Sequence, residues 1–391
     1  MTRLEYICLS AGTMMLTALG IDIMLPALSE LRYHFGLPAD STATANIIVF
    51  FFMGQVAQLI FGILSDRYGR LPILRIGFPL YIIGGIAAVF APSLATMCAA
   101  RFVAGMGASA VFTTTIAGVR DRFVGNQMAR TMSFILTIFL FTPIIAPFLG
   151  MAILSVSSWK MVFFTPPLFA VLIFVWSFRL DESHPVEQRV PIQWAILKNS
   201  FRKILGNAAF LRYTFLTTFL FAGLSVYVSG SEHIVGELYG RPALFPWIFA
   251  GIGLVMSLSA LYNARLSTRY GARPTIRFLL VVYTIVSTIL LLITIADGDP
   301  PGITVFFVCV GLLMALNLAI EPNSSALALE PLGQTAGLAA SMEGTIFFFV
   351  GSALGNIIGQ SITHGVFPLV LGFFILGSLA LILAWTDKHP S

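Results

Sequence analysis

Long apolar stretches alternate with short polar connections along almost the whole chain. A bilayer core of roughly 30 Å needs about 20 helical residues to cross it, and a helix satisfies its own backbone hydrogen bonds there. Stretches of this length therefore predict twelve spanning helices. Their approximate limits are residues 6–27, 44–64, 71–91, 94–118, 131–156, 161–178, 210–230, 244–264, 275–296, 302–321, 336–362 and 366–385.

Composition supports a membrane protein and excludes a water-soluble one. Hydrophobic residues make up 58% of the chain and charged residues only 10%, whereas a soluble domain carries about 25% charged residues. The net charge of +5 reflects orientation and not a nucleic-acid partner. If both termini are cytoplasmic, 18 of the 22 Lys and Arg, Lys388 among them, fall in inner segments, as the positive-inside rule requires. We expect an inner-membrane protein with this orientation.

The chain divides once, at a charged segment in its middle. We expect a six-helix bundle over residues 1–178, a cytoplasmic linker over 179–209 and a second bundle over 210–391. Within the linker, residues 192–205 have the pattern of an amphipathic helix. Shifting residues 62–75 by 202 positions onto 264–277 keeps seven of fourteen residues identical. A parallel repeat of this kind is typical of transporters that rock two bundles about a central site. The predicted fold is all-α, with twelve helices in two bundles related by a pseudo-two-fold axis.

The turn between the second and third spans reads GILSDRYGRLP, residues 62–72. It resembles the loop signature of the major facilitator superfamily, and the resemblance covers all twelve spans. The resemblance implies a conformational switch in which Asp66 latches onto the neighbouring half. The alternative is a positively charged inner end of a span with an incidental acid. In the second copy Thr268 and Ala272 replace Asp66 and Arg70, so we expect a one-sided latch. The switch residues that match the signature are Gly62, Asp66, Arg67, Gly69 and Arg70.

The fifth span carries TPIIAPFLG over residues 142–150. It resembles the antiporter signature of the Bcr/CflA drug exporters through Pro143, Pro147 and Gly150, although Thr142 and Ala146 replace its usual glycines. The prolines each remove a backbone donor and make the helix bendable. Ordinary helix packing is the alternative, since Pro and Gly are common in membrane helices.

Three ionisable residues lie within spans, where a charge costs on the order of 3 kcal/mol, and are therefore candidates for function. Asp22 and Arg101 lie at similar depths near the outer side, so Arg101 could stabilise ionised Asp22 and be released when Asp22 takes a proton. A purely structural ion pair and a wet, interfacial Asp22 are the alternatives. Glu343, in the eleventh span, could bind a proton, a cationic substrate or only a neighbouring hydroxyl. Glu321, before Pro322, is expected at the surface.

Together these features predict a proton-coupled antiporter that exports small amphipathic compounds, an antibiotic such as a phenicol among them. An exporter or importer of a sugar, amino acid or siderophore is the alternative within transport. A non-transporting sensor or an intramembrane enzyme is the alternative from another class. We expect no cofactor, because the chain has no phosphate-binding loop of the Gly-rich Lys-Ser/Thr kind. We expect no enzymatic activity and no metal site, because nucleophile–base and metal-ligand spacings are absent from the sequence. The expected partners are the substrate, protons and the lipid bilayer, with the protein as a monomer.

Overall fold

The computed structural model describes residues 1–189 and 193–387, so Ile192 and Lys388 lie outside the described residues. Within those two ranges every regular element is helical. Twelve helices, or runs of joined helices, are long and apolar enough to span a membrane. This confirms the predicted all-α membrane fold.

The α-helices that precede residue 190 include six spans, some of them interrupted by short 3₁₀ turns. They are α1 (Arg3–Asp22), α2 (Leu28–His34), α3 (Asn46–Gly54), α4 (Gln58–Tyr68), α5 (Arg70–Val89), α6 (Leu94–Arg122), α7 (Gly125–Val156) and α8 (Trp159–Ser177).

The α-helices after residue 192 comprise one short helix and the core of six further spans. They are α9 (Trp194–Leu205), α10 (Ala208–His233), α11 (Phe245–Tyr270), α12 (Ala272–Asp297), α13 (Ile303–Leu329), α14 (Ala336–Gly359) and α15 (Phe367–Trp385).

The described residues form two compact units. Unit 1 comprises Met1–Gly36 and the described part of Phe50–Leu197, and unit 2 comprises Leu37–Val49 and the described part of Lys198–Ser391. In unit 1, α5 packs against α6 and α8, and α1 packs against α6, α7 and α8. In unit 2, α10 packs against α13, α14 and α15, while α12 packs against α13 and α15. The predicted domain limits at 178 and 210 remain predictions.

Helix α12 shows how the apolar sequence satisfies two environments at once. Phe278, Ile285 and Leu292 are 61%, 52% and 60% exposed, and they recur every seven residues, which is two helical turns. Leu280 and Leu290 are fully buried on the other side. An exposed face this apolar suits lipid as solvent, because it offers water no polar group.

The tenth span is longer than predicted. The expected limit was residue 321, but α13 continues through Pro322 to Leu329. Hydropathy falls at Glu321 and Pro322, yet the helix persists because membrane helices tolerate a proline when neighbouring groups satisfy the freed carbonyl. This extension places Glu321 inside a helix instead of at its end.

Candidate functional site

Asp22 is the last residue of α1, and it is only 5% exposed. Its carboxylate has no hydrogen bond and no ion pair within the described parts of the chain. Buried charges in proteins are normally paired or hydrogen-bonded. Asp22 therefore departs from this pattern.

The expected pairing of Arg101 with Asp22 is not present. Arg101, 1% exposed in α6, donates from a terminal guanidinium nitrogen to the backbone carbonyl of Gly20. Its guanidinium carbon lies 4.4 Å from the centre of the Phe51 ring. The guanidinium thus binds the α1 backbone two residues before Asp22 and stacks on an aromatic face, while its buried Nε atom has no hydrogen-bond partner among the described residues. The carbonyl that Arg101 binds is thus close to Asp22 along α1, but Arg101 itself does not neutralise the Asp22 carboxylate.

Tyr81 of α5 anchors the same stretch of α1. Its hydroxyl donates to the carbonyl of Leu16 at 2.8 Å, one helical turn before the carbonyl of Gly20 that Arg101 uses. Two buried donors from other helices therefore hold consecutive turns of α1. This fixes the backbone that presents Asp22.

The antiporter-type segment lies beside the residue that follows Asp22. Pro143, Pro147 and Gly150 all lie inside α7, which stays helical from Gly125 to Val156. A Cβ on Gly150 would be 2.2 Å from the carbonyl oxygen of Ile23, so only glycine allows α7 to approach this closely. The fold thus brings the antiporter-type segment next to Asp22, whereas the sequence analysis considered the two as separate features.

Glu343 of α14 is 7% exposed and accepts a hydrogen bond from the Ser325 hydroxyl of α13, 2.8 Å from its Oε2 atom. Glu321 lies one helical turn before Ser325 and interacts electrostatically with Glu343. The expectation that Glu321 is a surface residue was therefore wrong, because α13 continues past it and leaves it half-buried. Unit 2 thus holds one acid of α14 that is bonded to the Ser325 hydroxyl and a second acid one helical turn earlier in α13.

The signature turn of residues 62–70 forms a compact charge cluster. Arg70 bridges two acids: one terminal nitrogen lies 2.6 Å from Asp66 Oδ1, and its Nε atom lies 2.8 Å from Asp121 Oδ2. The Arg70 side chain is only 9% exposed, whereas that of Asp66 is 52% exposed. Arg67 instead faces the Tyr68 ring at 5.9 Å. Gly62 lies half-buried in α4.

Glu182, in the segment after α8, caps the helix that begins at Arg70. Its carboxylate accepts the backbone N–H groups of Arg70 and Leu71 at 2.9 and 3.1 Å. Gly69 has φ +101°, and a Cβ there would meet Glu182 Oε2 at 2.5 Å, so the position requires glycine. Burial raises the pKa of Glu182, but the N–H groups of Arg70, His184, Leu71 and Ser183 outweigh it and leave that pKa below its usual value. Sequence reasoning missed Glu182 and Asp121 because neither adjoins the turn along the chain.

The second copy of the repeat has a similar backbone conformation at its glycine, but its charged side chains differ. Gly271 has φ 82° and ψ 163°, close to the 101° and 170° of Gly69. Arg273 of this copy binds Asp387, which follows α15, with 3.1 Å between its Nε atom and Asp387 Oδ2. Asp387 also accepts from Arg212 at 3.0 Å and from the Tyr213 hydroxyl at 2.6 Å. Sequence reasoning missed this carboxylate, whose only signal is an isolated acid after the last span.

Comparison with known proteins shows which family and which relatives this chain resembles. The model of the Major Facilitator Superfamily matches residues 11–345. A bicyclomycin resistance protein homolog of Haemophilus influenzae is 27% identical over 377 residues, covering 94% of this chain and 91% of that protein. A chloramphenicol resistance protein of Pseudomonas aeruginosa is 25% identical over 386 residues, covering 96% and 88%.

Solved structures give the same fold at lower sequence similarity. The crystal structure of a D-xylose–proton symporter has a TM-score of 0.77 at 14% identity, covering 98% of this chain and 97% of that one. At this identity the likeness concerns the fold alone. The family match, in contrast, extends over most of the chain and includes the signature turn, Asp22 and the antiporter-type segment. The predicted family is thus confirmed, and the chain belongs to the Major Facilitator Superfamily.

Proposed function

We propose that this transporter exports small amphipathic compounds, antibiotics among them, across the inner membrane in exchange for protons. Two relatives that align over more than nine-tenths of this chain are named for resistance to bicyclomycin and to chloramphenicol. Both names describe protection from an antibiotic, which export would provide. The uptake of a sugar, amino acid or siderophore has no comparable support among these relatives.

The observation that carries proton coupling is the unpaired, buried carboxylate of Asp22. Because Arg101 is occupied by the Gly20 carbonyl, the charge of Asp22 depends on what arrives from outside the protein. A group whose charge changes with the bound species can bias the equilibrium between two conformations. Its position next to the close approach of Gly150 and Ile23 links this charge to the packing of α7.

Proton release in inverted vesicles tests the proposal directly. A drug substrate should release protons from wild-type vesicles, and Asp22→Asn should abolish this release while membrane insertion stays normal. Glu30→Gln is the matched control, because Glu30 follows in α2 and is exposed, with its carboxylate accepting the Trp159 N–H at 3.2 Å. Unchanged proton release in Asp22→Asn would exclude Asp22 as the proton-coupling residue. Release by a sugar or amino acid but by no antibiotic would show a metabolite transporter.

We propose that residues 62–70 control conformational switching and not substrate choice. Arg70, 9% exposed between Asp66 and Asp121, holds the turn in one arrangement. Asp66→Ala should therefore slow the turnover of every substrate by a similar factor, and Thr268→Ala, at the equivalent position of the repeat, should not. Loss of one substrate alone would contradict this role.

We further infer that both termini face the cytoplasm. The inference rests on the 18 Lys and Arg that this orientation places in inner segments, against three in outer loops. A green fluorescent protein fused after the last residue should fluoresce, whereas a periplasmic alkaline phosphatase fused there should be inactive. The opposite pair of results would reverse the orientation.

A further inference from the structure

A group of hydrogen-bonded side chains joins α11 to α13 inside unit 2. The Ser267 hydroxyl of α11 donates to Asn323 Oδ1 of α13, 2.7 Å away. The Asn323 amide nitrogen donates to Asn263 Oδ1 of α11 at 2.8 Å and to the Ala319 carbonyl of its own helix at 2.9 Å. Asn263 and Asn323 are each 6% exposed. Both polar atoms of the Asn323 side chain are therefore used, and each of them makes a bond to the other helix.

The repeat relates this group to the charge cluster of the signature turn. Shifting Asp121 by the same 202 positions that align the two turns gives Asn323, and Ser65 shifts onto Ser267 in the same way. In the first copy Arg70 lies between the serine and the acid, and it donates to Ser65 Oγ at 3.0 Å and to Asp121 Oδ2 at 2.8 Å. In the second copy the serine bonds to Asn323 directly. The same two positions are thus joined in both copies.

The differences between the two copies compensate for one another. Ala272 stands where the first copy has Arg70, so a methyl group replaces the guanidinium. A carboxylate at position 323 would then be buried without that counter-charge, which is costly. Asparagine avoids this cost. Its amide finds an acceptor in Asn263, which stands where the first copy has the buried Phe61. The second copy thus keeps the connection between the helices without the charges.

A further hydrogen bond extends the connection along the same two helices. The Ser259 hydroxyl of α11 donates to the Ala315 carbonyl of α13 at 2.7 Å. Ser259 precedes Ser267, and Ala315 precedes Asn323, by about two helical turns, so both bonds lie along one side of α11. Lipid gives packed helices no hydrophobic driving force, and interhelical hydrogen bonds contribute to holding them together. The polar groups therefore stabilise the α11–α13 contact.

We propose that Asn263, Ser267 and Asn323 form a charge-free clamp that keeps α11 and α13 together throughout the transport cycle. Amide and hydroxyl groups carry no charge that a proton or salt removes. The clamp therefore stays closed, whereas the charge cluster of residues 62–70 switches. The role in the cycle rests on the transport function proposed above. The clamp itself does not, because thermal stability measures it without any substrate.

Thermal unfolding in one detergent tests the clamp by itself. Asn323→Ala removes the bonds to Ser267 and Asn263 and should lower Tm by about 3–6 °C. Thr268→Ala is the matched control in α11, because the exposed Thr268 hydroxyl bonds to the Ala264 carbonyl of its own helix. This control should leave Tm unchanged. A Tm of Asn323→Ala equal to that of wild type would overturn the clamp.

Restoring the charges of the first copy tests whether the two clusters are equivalent. Asn323→Asp should lower Tm by about 5–10 °C, because the carboxylate then faces the Asn263 and Ala319 oxygens to which the amide donated. Adding Ala272→Arg should recover about half of that decrease, since it supplies a guanidinium at the position of Arg70. Adding Ala272→Met, a long side chain without charge, should recover nothing. Equal results for Arg and Met would show that the clusters are not counterparts.

A covalent link decides whether the clamp opens during transport. In a chain whose three native cysteines are replaced by alanine, Ser267→Cys with Asn323→Cys removes the clamp and should slow the export of any wild-type substrate several-fold. A short bifunctional thiol reagent should then restore the rate, and it should leave the Ser267→Cys single variant unchanged. Further loss of export on linking would show that α11 and α13 must separate, and wild-type export before linking would show that the clamp has no role in the cycle. Either result overturns the proposal.

The same measurements separate the clamp from the proposed function. If the wild type moves a sugar or an amino acid and no antibiotic, the proposed function fails. The effect of the covalent link on that other substrate still decides whether the clamp stays closed.

Discussion

Replacing Asp387 with asparagine should loosen the packing of unit 2 much more than its position after the last span suggests. The Asp387 side chain is only 2% exposed. It receives hydrogen bonds from Arg212 at 3.0 Å, Arg273 at 3.1 Å and the Tyr213 hydroxyl at 2.6 Å. These donors belong to α10 and α12, so one carboxylate joins two helices to the segment that follows α15.

The size of the effect follows from what asparagine leaves behind. A hydrogen bond to a charged group contributes about 1.5–3 kcal/mol, and breaking a buried ion pair costs about 3–5 kcal/mol. Asparagine keeps one acceptor, and Arg212 and Arg273, which are 18% and 28% exposed, can regain water. We therefore expect a loss of about 2–3 kcal/mol, which lowers Tm by about 5–10 °C for a unit of this size.

Glu330 supplies a control on the same arginine. It lies 3.3 Å from Arg273 and is 62% exposed, and exposed ion pairs contribute about 0–1 kcal/mol. Thermal unfolding in one detergent, followed by tryptophan fluorescence, should show a large decrease in Tm for Asp387→Asn and almost none for Glu330→Gln. Equal decreases would refute the reasoning, because burial would then not decide the contribution of either acid.

Three further predictions concern residues that the structure places near the sites. Glu182→Gln should lower the free energy of unfolding by about 1 kcal/mol at pH 7, because it weakens a helix cap. The folded-state pKa of Glu182 is below its usual 4.5, so the difference in Tm between wild type and variant should persist above pH 4.5 and vanish as the pH falls through the lowered pKa. Gly150→Ala should force α7 away from the Ile23 carbonyl, which its Cβ would approach to 2.2 Å, at about 1–3 kcal/mol; a Tm and a transport rate equal to those of wild type would contradict this. Glu343→Gln should reduce the export of a cationic substrate by about tenfold, equivalent to about 1.4 kcal/mol of lost attraction, and spare a neutral one; a loss of both, with fewer protons exchanged per substrate, would make Glu343 a proton site instead, and no change in either would remove it from the site.

The spans could be predicted from the sequence because lipid imposes a simple requirement. A helix that crosses the bilayer must be apolar over about 20 residues, and that property is local. The tenth span shows the limit of this argument, since Glu321 and Pro322 lower the hydropathy while α13 continues to Leu329. Whether the helix continues at that point depends on the groups that pack around it, and hydropathy carries no information about those groups.

The charge clusters were only partly predictable, for a related reason. Asp66 and Arg70 are four residues apart, so the sequence already allowed their contact. Asp121 and Glu182 join Arg70 from 51 and 112 residues away, through packing that no local pattern encodes. Arg101 shows a third case, because similar depth in the membrane suggested Asp22 as its partner and the fold instead gives it the Gly20 carbonyl.

The two carboxylates that follow α8 and α15 also set an order of assembly. Glu182 binds back to the start of α5, and Asp387 binds back to α10 and α12. A chain made from its N-terminus cannot form either connection until all the helices of that half have left the ribosome. In each half, the carboxylate that makes this connection is synthesised after the last spanning helix, so the helices inserted earlier lie in the bilayer with Arg70, or with Arg212 and Arg273, still lacking that partner. The first half can be fastened while the second is still being synthesised, so the duplicated architecture carries a built-in sequence for its own biogenesis.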